Sequence, residues 1–388
     1  MASDGASGQE HGAEAASAAS GARGAHATGS PATPTSPQRS APRRGLAAGL
    51  IGAIAVTVIS VVFVVSYLGA LHAPGPHSVP TAVVGRPAQV SAVSRTLERA
   101  VPGGYDVSGS PTAKAARDSI LDRNFDVAVV LRPRGELLLV ATAVSPSLAN
   151  TTIKVFSSVA KAGGVPLAVR DVRPLPASDP DGLSKIYLMI ALLVPSLNFG
   201  NMLITRISPR LHPLLHVAVI AVYAGIIAAV AITLADAGLG ALAGAPWALF
   251  GIGALLAFAV AVMVAAAARW GGGVGYLVIA LLFVPVGIAA SGLTLGPNMI
   301  TQWYADVGKA LPPGASITAI NNASYFNGND MTVPLVVLGA WALAGTLAMV
   351  MAAILRPPLP GDRSQSRGQA DTATPEIVAK GGQARPPS

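Results

Sequence analysis

The sequence predicts an α-helical polytopic membrane protein: a six-helix transmembrane bundle with a small α/β extracytoplasmic domain inserted between helices 1 and 2. Three observations predict it. First, one hydrophobic segment lies at residues 45–71 and five more are packed between Lys185 and Leu355, each roughly 19 to 27 residues long. A helix rising about 1.5 Å per residue needs about 20 residues to cross a hydrocarbon core of about 30 Å. Second, no segment carries Lys, Arg, Asp or Glu well inside it, as expected where a central charge costs about 2.5–3.5 kcal/mol. Third, charged residues form 11% and hydrophobic residues 52% of the 388-residue chain, a balance that points to a bilayer rather than a large soluble core.

Lys and Arg predict the orientation. Arg39, Arg43 and Arg44 precede the first segment, Arg206 and Arg210 follow the second, Arg269 follows the fourth, and Arg356 and Arg363 follow the last. The link at 237–243 has no charge, and the link between the fifth and sixth segments has Lys309 as its only base. Positive charge inside then gives a multi-pass plasma (inner) membrane protein with both termini cytoplasmic. The formal net charge of +8 sits largely beside the spans. It forms no basic stripe with interleaved aromatics, so nucleic acid is not an expected partner. The first segment exceeds the 7–15 residues of a signal-peptide core and no A-x-A site follows it, so an uncleaved anchor is expected.

In order, residues 1–43 are poor in large apolar side chains and are expected to form a disordered cytoplasmic tail. The first span is 45–71. Residues 75–182 alternate strand-like and helix-like runs: strand Thr81–Gly85, helix Val90–Ala100, strand Tyr105–Val107 and a helix from Pro111 to Arg123. A hairpin of Asp126–Leu131 and Glu136–Thr142 turns at Pro133-Arg134-Gly135, then helix Leu148–Lys161 and strand Val165–Val172 complete a domain of four or five strands.

The second span, 185–204, is the most polar. Pro195 predicts a kink, and Asn198 and Asn201 share a helical face; these residues either pack helices or line a substrate path. Spans at 214–235, 245–268 and 274–295 follow, with a tight turn at Gly271–Gly273. In the outer loop, 296–332, Met299, Ile300, Trp303, Val307 and Leu311 recur at helical spacing. They predict an amphipathic helix whose Trp303 and Tyr304 suit the outer interface. Leu311-Pro312-Pro313-Gly314 reads as a rigid break, and Asn321–Asp330 as a polar loop containing the sequon Asn322-Ala323-Ser324. The last span is 333–355, and 356–388 is expected to be a disordered cytoplasmic tail.

The chain has no Cys, which excludes disulfides and thiolate sites. GxxxxGK[ST], HExxH and GxSxG are absent, so no cofactor, metal site or enzyme activity is predicted. The order of one span, a large outer domain and five close spans resembles permeases of type-two ABC exporters. Three stretches, DSILDRNFDVAVVL from Asp118, RPLPASDPDGLSKIYL from Arg173 and LPPGASITAINNASYFNG from Leu311, resemble more closely the YhgE/Pip (phage-infection-protein) group and actinobacterial permease-like relatives. That resemblance implies a homodimeric helical bundle exporting an amphiphile or cell-envelope compound, with ATP hydrolysed by a separate subunit. The alternative is a non-transporting envelope scaffold or surface receptor that presents residues 75–182.

Overall fold

The structure, a computed structural model, describes residues 41–208, 211–235, 246–293 and 295–355. Almost all of both expected tails and the link at 237–243 lie outside the described residues. The chain divides into two compact units, Met1–Ala53 and Ile54–Ser388. The first supplies only the opening turns of helix α1 (Ala41–Leu71) among the described residues, and the fold below is that of the second. The apolar side chains of α1 from Val56 to Leu68 are mostly exposed, and its last turns pack through Tyr67, Ala70 and Leu71 against Ile300 and Tyr304.

A five-stranded mixed sheet follows. Its strands are β1 (Val79–Val84), β2 (Tyr105–Ser110), β3 (Val127–Arg132), β4 (Gly135–Val140) and β5 (Leu167–Asp171), in spatial order β2-β1-β3-β4-β5. The β3–β4 pair is the antiparallel hairpin, Arg132 opposite Gly135, and the other pairs are parallel. Helices α2 (Pro87–Ala100), α3 (Ala113–Leu121) and α4 (Pro146–Ala162) make the crossovers. Their starts follow local chemistry: Thr112 Oγ1 accepts from the Ala115 amide and Ser145 Oγ from the Leu148 amide, while Pro87 and Pro146 sit where a helix needs no donor.

Alternation along the strands sends side chains to two cores. Val79, Val83, Val127 and Val129 pack under Leu97 of α2 and Phe156 of α4. Ala82, Ala128 and Val130 pack with Ala116 and Ile120 of α3, and with Tyr325 and Phe326 from far along the chain.

Five helices among the described residues are long and apolar enough to cross a membrane. They are Gly52–Leu71, Ser184–Ile207, Pro213–Thr233, Pro246–Ile288 and Thr332–Leu355. The second comprises α5 (Ser184–Met202), continuous through Pro195, and a π turn at Leu203–Ile207. The third is α6 (Pro213–Thr233). The fourth, α7 (Pro246–Leu281) and its π extension to Ile288, is 43 residues, which as a straight helix would reach about 65 Å at about 1.5 Å per residue.

Helix α7 is broken at Gly272, where φ 58° and ψ −139° fit glycine alone. A β-carbon on Gly275 would lie 2.0 Å from the Ala267 carbonyl oxygen, an approach eight residues apart that only a folded-back helix allows. The two arms therefore make a hairpin, with α5, α6 and the last span α10 (Thr332–Leu355) around it.

Between the hairpin and α10 lie α8 (Gln302–Lys309) and α9 (Pro312–Tyr325). Here the structure corrects the sequence reading. Pro312 and Pro313 occupy the first turn of α9, where their missing N–H groups cost nothing, so the pair starts a helix instead of ending one. Asn321 and Asn322 are not in a polar loop but in the buried C-terminal turns of α9, 5% and 0% exposed. The sequon asparagine is thus inaccessible in the fold. With 14 residues, α9 is about 21 Å long, too short to span.

Candidate functional site

The sheet domain and the helices meet at one end of α9. Tyr325 and Phe326 enter the second core of the sheet, while Ile317 and Ile320 join the bundle core. Helix α8 is held hard against the hairpin: a β-carbon on Gly308 would lie 2.0 Å from the Ala290 carbonyl oxygen. A cavity of about 350 Å³ lies between these parts, lined by residues of the domain, the turn Pro297–Met299, α8, α9 and the starts of α5 and α10. Exposed Lys309 and Val333 belong to its lining, so it reaches the surface beside the start of α10.

One wall is a polar network. Arg123 follows the last turn of α3 with φ 68°, a left-handed position where a side chain costs about 1 kcal/mol or more. That backbone turns the guanidinium toward three partners. Nη1 donates to Asp126 Oδ1 at 2.9 Å, Nε donates to Asn322 Oδ1 at 3.3 Å, and the group stands 4.9 Å over the Phe326 ring. Asp126 Oδ2 accepts from Asn298 Nδ2 at 2.7 Å, and Asn322 Nδ2 donates to the Asp330 carbonyl at 3.1 Å. Nearby, Arg173 Nε donates to the Tyr325 carbonyl and Ser145 Oγ donates to the Leu295 carbonyl at 2.6 Å. Every one of these bonds except Arg123–Asp126 and Asn322–Asp330 ties the domain to the segments after residue 290.

The lining also holds Lys185, in the first turn of α5 and 6% exposed. Its ammonium donates to Asn321 Oδ1 at 2.7 Å and to the Val144 carbonyl at 3.3 Å. Among the described residues no carboxylate oxygen lies within 4.0 Å of it. Asp179 is buried nearby, but its two oxygens accept the Leu183 and Ser184 amides at 2.9 and 3.2 Å and so cap α5. Holding an ammonium against neutral dipoles alone costs on the order of several kcal/mol. Burial, and next the Asp179 carboxylate, push the Tyr325 hydroxyl up to about 12, so that ring stays neutral.

Pro195 and Asn198 are exposed on the outer surface of α5, Asn198 Nδ2 donating to its own helix at Val194 O, 2.8 Å away. Asn201 is half-buried near the π turn. None of the three lines the cavity. Trp303 is 65% exposed on α8, whereas Tyr304 is 7% exposed and packs against the end of α1. Sequence reasoning missed Arg123, Asp126, Lys185, Asn298, Asn321 and Asn322 as members of one site. A signal was present: the stretches beginning at Asp118, Arg173 and Leu311 contain all of these but Asn298. The fold brings the three stretches together around the cavity.

No family model, no curated protein and no solved structure matches this chain.

Proposed function

We propose that this chain is a permease-like subunit of an exporter, moving an amphiphilic or cell-envelope compound outward with energy from a separate ATPase. The observation that carries this reading is the cavity. It is polar on the Arg123 and Lys185 sides, apolar along Ala315 and Pro334, and it reaches the surface at the start of a candidate span. A chamber of mixed polarity at a bilayer boundary suits a molecule with a head and a tail. In this reading the arms of the α7 hairpin cross separately, giving six crossings. Arg206 and Arg269 then fall inside with both termini, and the sheet domain stands outside over the bundle. The likeness to exporter permeases and to the YhgE/Pip group leads to the same assignment, including a homodimer.

A gentle-detergent pull-down of the tagged full chain tests it. Export requires a stoichiometric nucleotide-binding subunit with vanadate-sensitive ATP hydrolysis. An envelope complex without ATPase overturns export and supports a second reading, a non-transporting scaffold or receptor presenting the sheet domain. That reading is favoured by edge strand β5, whose outer side chains, Val169 among them at 43%, are exposed. Exposed edges are templates for an added strand.

A further inference from the structure

We infer that the cavity binds an oxyanion headgroup, phosphate or carboxylate, carried on an apolar chain, with Lys185 and Asn321 holding the head. This names the cargo class of the export reading and rests on that reading for transport, but not for binding.

Donors outnumber acceptors around Lys185 and Asn321. An ammonium has three N–H donors, and Lys185 uses two of them, both on neutral oxygens. Asn321 turns its oxygen to Lys185, so its NH2 group, which has no partner among the described residues, is left as a second donor beside the first. Both residues are at least nine-tenths buried and both line the cavity. The nearby acids do not supply the missing acceptor. Asp126 is taken up by Arg123 and Asn298, Asp179 by two backbone amides, and Asp330 is exposed. An incoming oxyanion would accept from both donors and neutralise Lys185, the one cation of the lining that has no carboxylate within reach among the described residues, a pairing stronger than a neutral hydrogen bond.

The remainder of the ligand follows from the lining and the mouth. A cavity of about 350 Å³ is at the small end of ligand pockets and takes a head and its first carbons. Beyond Val333 the surface of α10 continues apolar, with Leu335 and Val336 exposed, a track along which a chain can leave toward lipid. A free inorganic anion would leave the Ala315, Val333 and Pro334 side of the cavity unfilled.

Calorimetry on the full-length protein in non-ionic detergent tests this with four probes: hexyl phosphate, inorganic phosphate, hexanol and hexyltrimethylammonium. Hexyl phosphate is expected to bind roughly tenfold or more tightly than the other three, and Lys185→Gln to weaken it by at least about tenfold, as loss of a charge-assisted bond does. Thr318→Trp, which fills the cavity and leaves Lys185 in place, is expected to abolish binding, and it carries the test if Lys185→Gln does not fold. Equal binding of inorganic phosphate would overturn the amphiphile in favour of a free anion. Equal binding of hexanol or the cation, or unchanged affinity in both variants, would overturn the site. Binding without any recovered ATPase leaves the site standing and removes export; a recovered ATPase with no binding does the reverse.

Discussion

Arg123 and Asp126 pair within the sheet domain and together latch it to the later segments, Arg123 through Asn322 and Asp126 through Asn298; Asp126→Asn isolates the charge because the side chain keeps its shape. The two side chains are 15% and 9% exposed, so screening by water is slight. Removing one partner of a buried pair costs about 3–5 kcal/mol. The lower end applies, since Arg123 keeps Asn322 and the Phe326 face and an asparagine oxygen can still accept from Asn298. At roughly 2–4 °C per kcal/mol for a large chain, about 3 kcal/mol lowers the unfolding temperature by about 6–12 °C. Tryptophan fluorescence melts of the detergent-solubilised protein read that shift. A cycle with Arg123→Met separates pairing from desolvation: the double variant is expected to be more stable than the sum of the single losses implies. A shift below about 2 °C for Asp126→Asn, or additivity within about 0.5 kcal/mol, would refute the latch.

Three further outcomes are expected. Gly275→Leu puts a side chain where a β-carbon already meets the Ala267 carbonyl at 2.0 Å, so the folded, monodisperse fraction in size-exclusion chromatography should collapse; full recovery would contradict the hairpin. The Tyr325 hydroxyl is buried with no hydrogen-bond partner among the described residues, so Tyr325→Phe should be neutral or stabilising by up to about 1 kcal/mol at pH 7. Because Tyr325 ionises near 12 folded and near about 10 unfolded, its contribution is intact below about pH 10 and is lost as pH rises toward 12. The Phe variant should therefore melt higher than the parent at pH 11 by more than at pH 9. Trp303 is exposed on α8, so Trp303→Gln should leave the melting temperature within about 1 °C, as surface changes do, while reducing fluorescence quenching by lipids brominated near the headgroup.

The elements whose residues are neighbours in sequence were legible. Short β-rich runs at Thr81–Gly85 and Asp126–Leu131 marked the strands found at Val79–Val84 and Val127–Arg132, and Pro133-Arg134-Gly135 marked the hairpin between β3 and β4. Gly271–Gly273 marked the reversal in α7. Helix α9 was not legible, for a physical reason. Ser316, Thr318, Asn321, Asn322 and Ser324 give it a loop-like composition, yet it is enclosed by bundle and sheet, where its own turns take up Ser316 and Thr318, Arg123 and the Asp330 carbonyl take up Asn322, and Lys185 takes up the Asn321 oxygen. Burial on all sides erases the periodicity that marks a helix with one wet face.

The site was illegible for a related reason: Arg123 meets Asn322 across 199 positions and Lys185 meets Asn321 across 136, and local pattern carries no information at that range. Lys185 shows the consequence most clearly. A lysine in the first turn of a span ordinarily extends its ammonium to water at the interface, which is why its position in sequence marks a boundary. Here Val144 from the domain and Asn321 from α9 cover it. The cover over Lys185 and the latch at Arg123 thus belong to one contact between domain and α9. Opening the latch would let water reach the ammonium and remove the reason for an anionic head to bind there. Asp126→Asn is accordingly expected to weaken hexyl phosphate binding as well as lower the melting temperature, although Asp126 itself repels an anion; tighter binding in that variant would mean that the domain is not the cavity's roof.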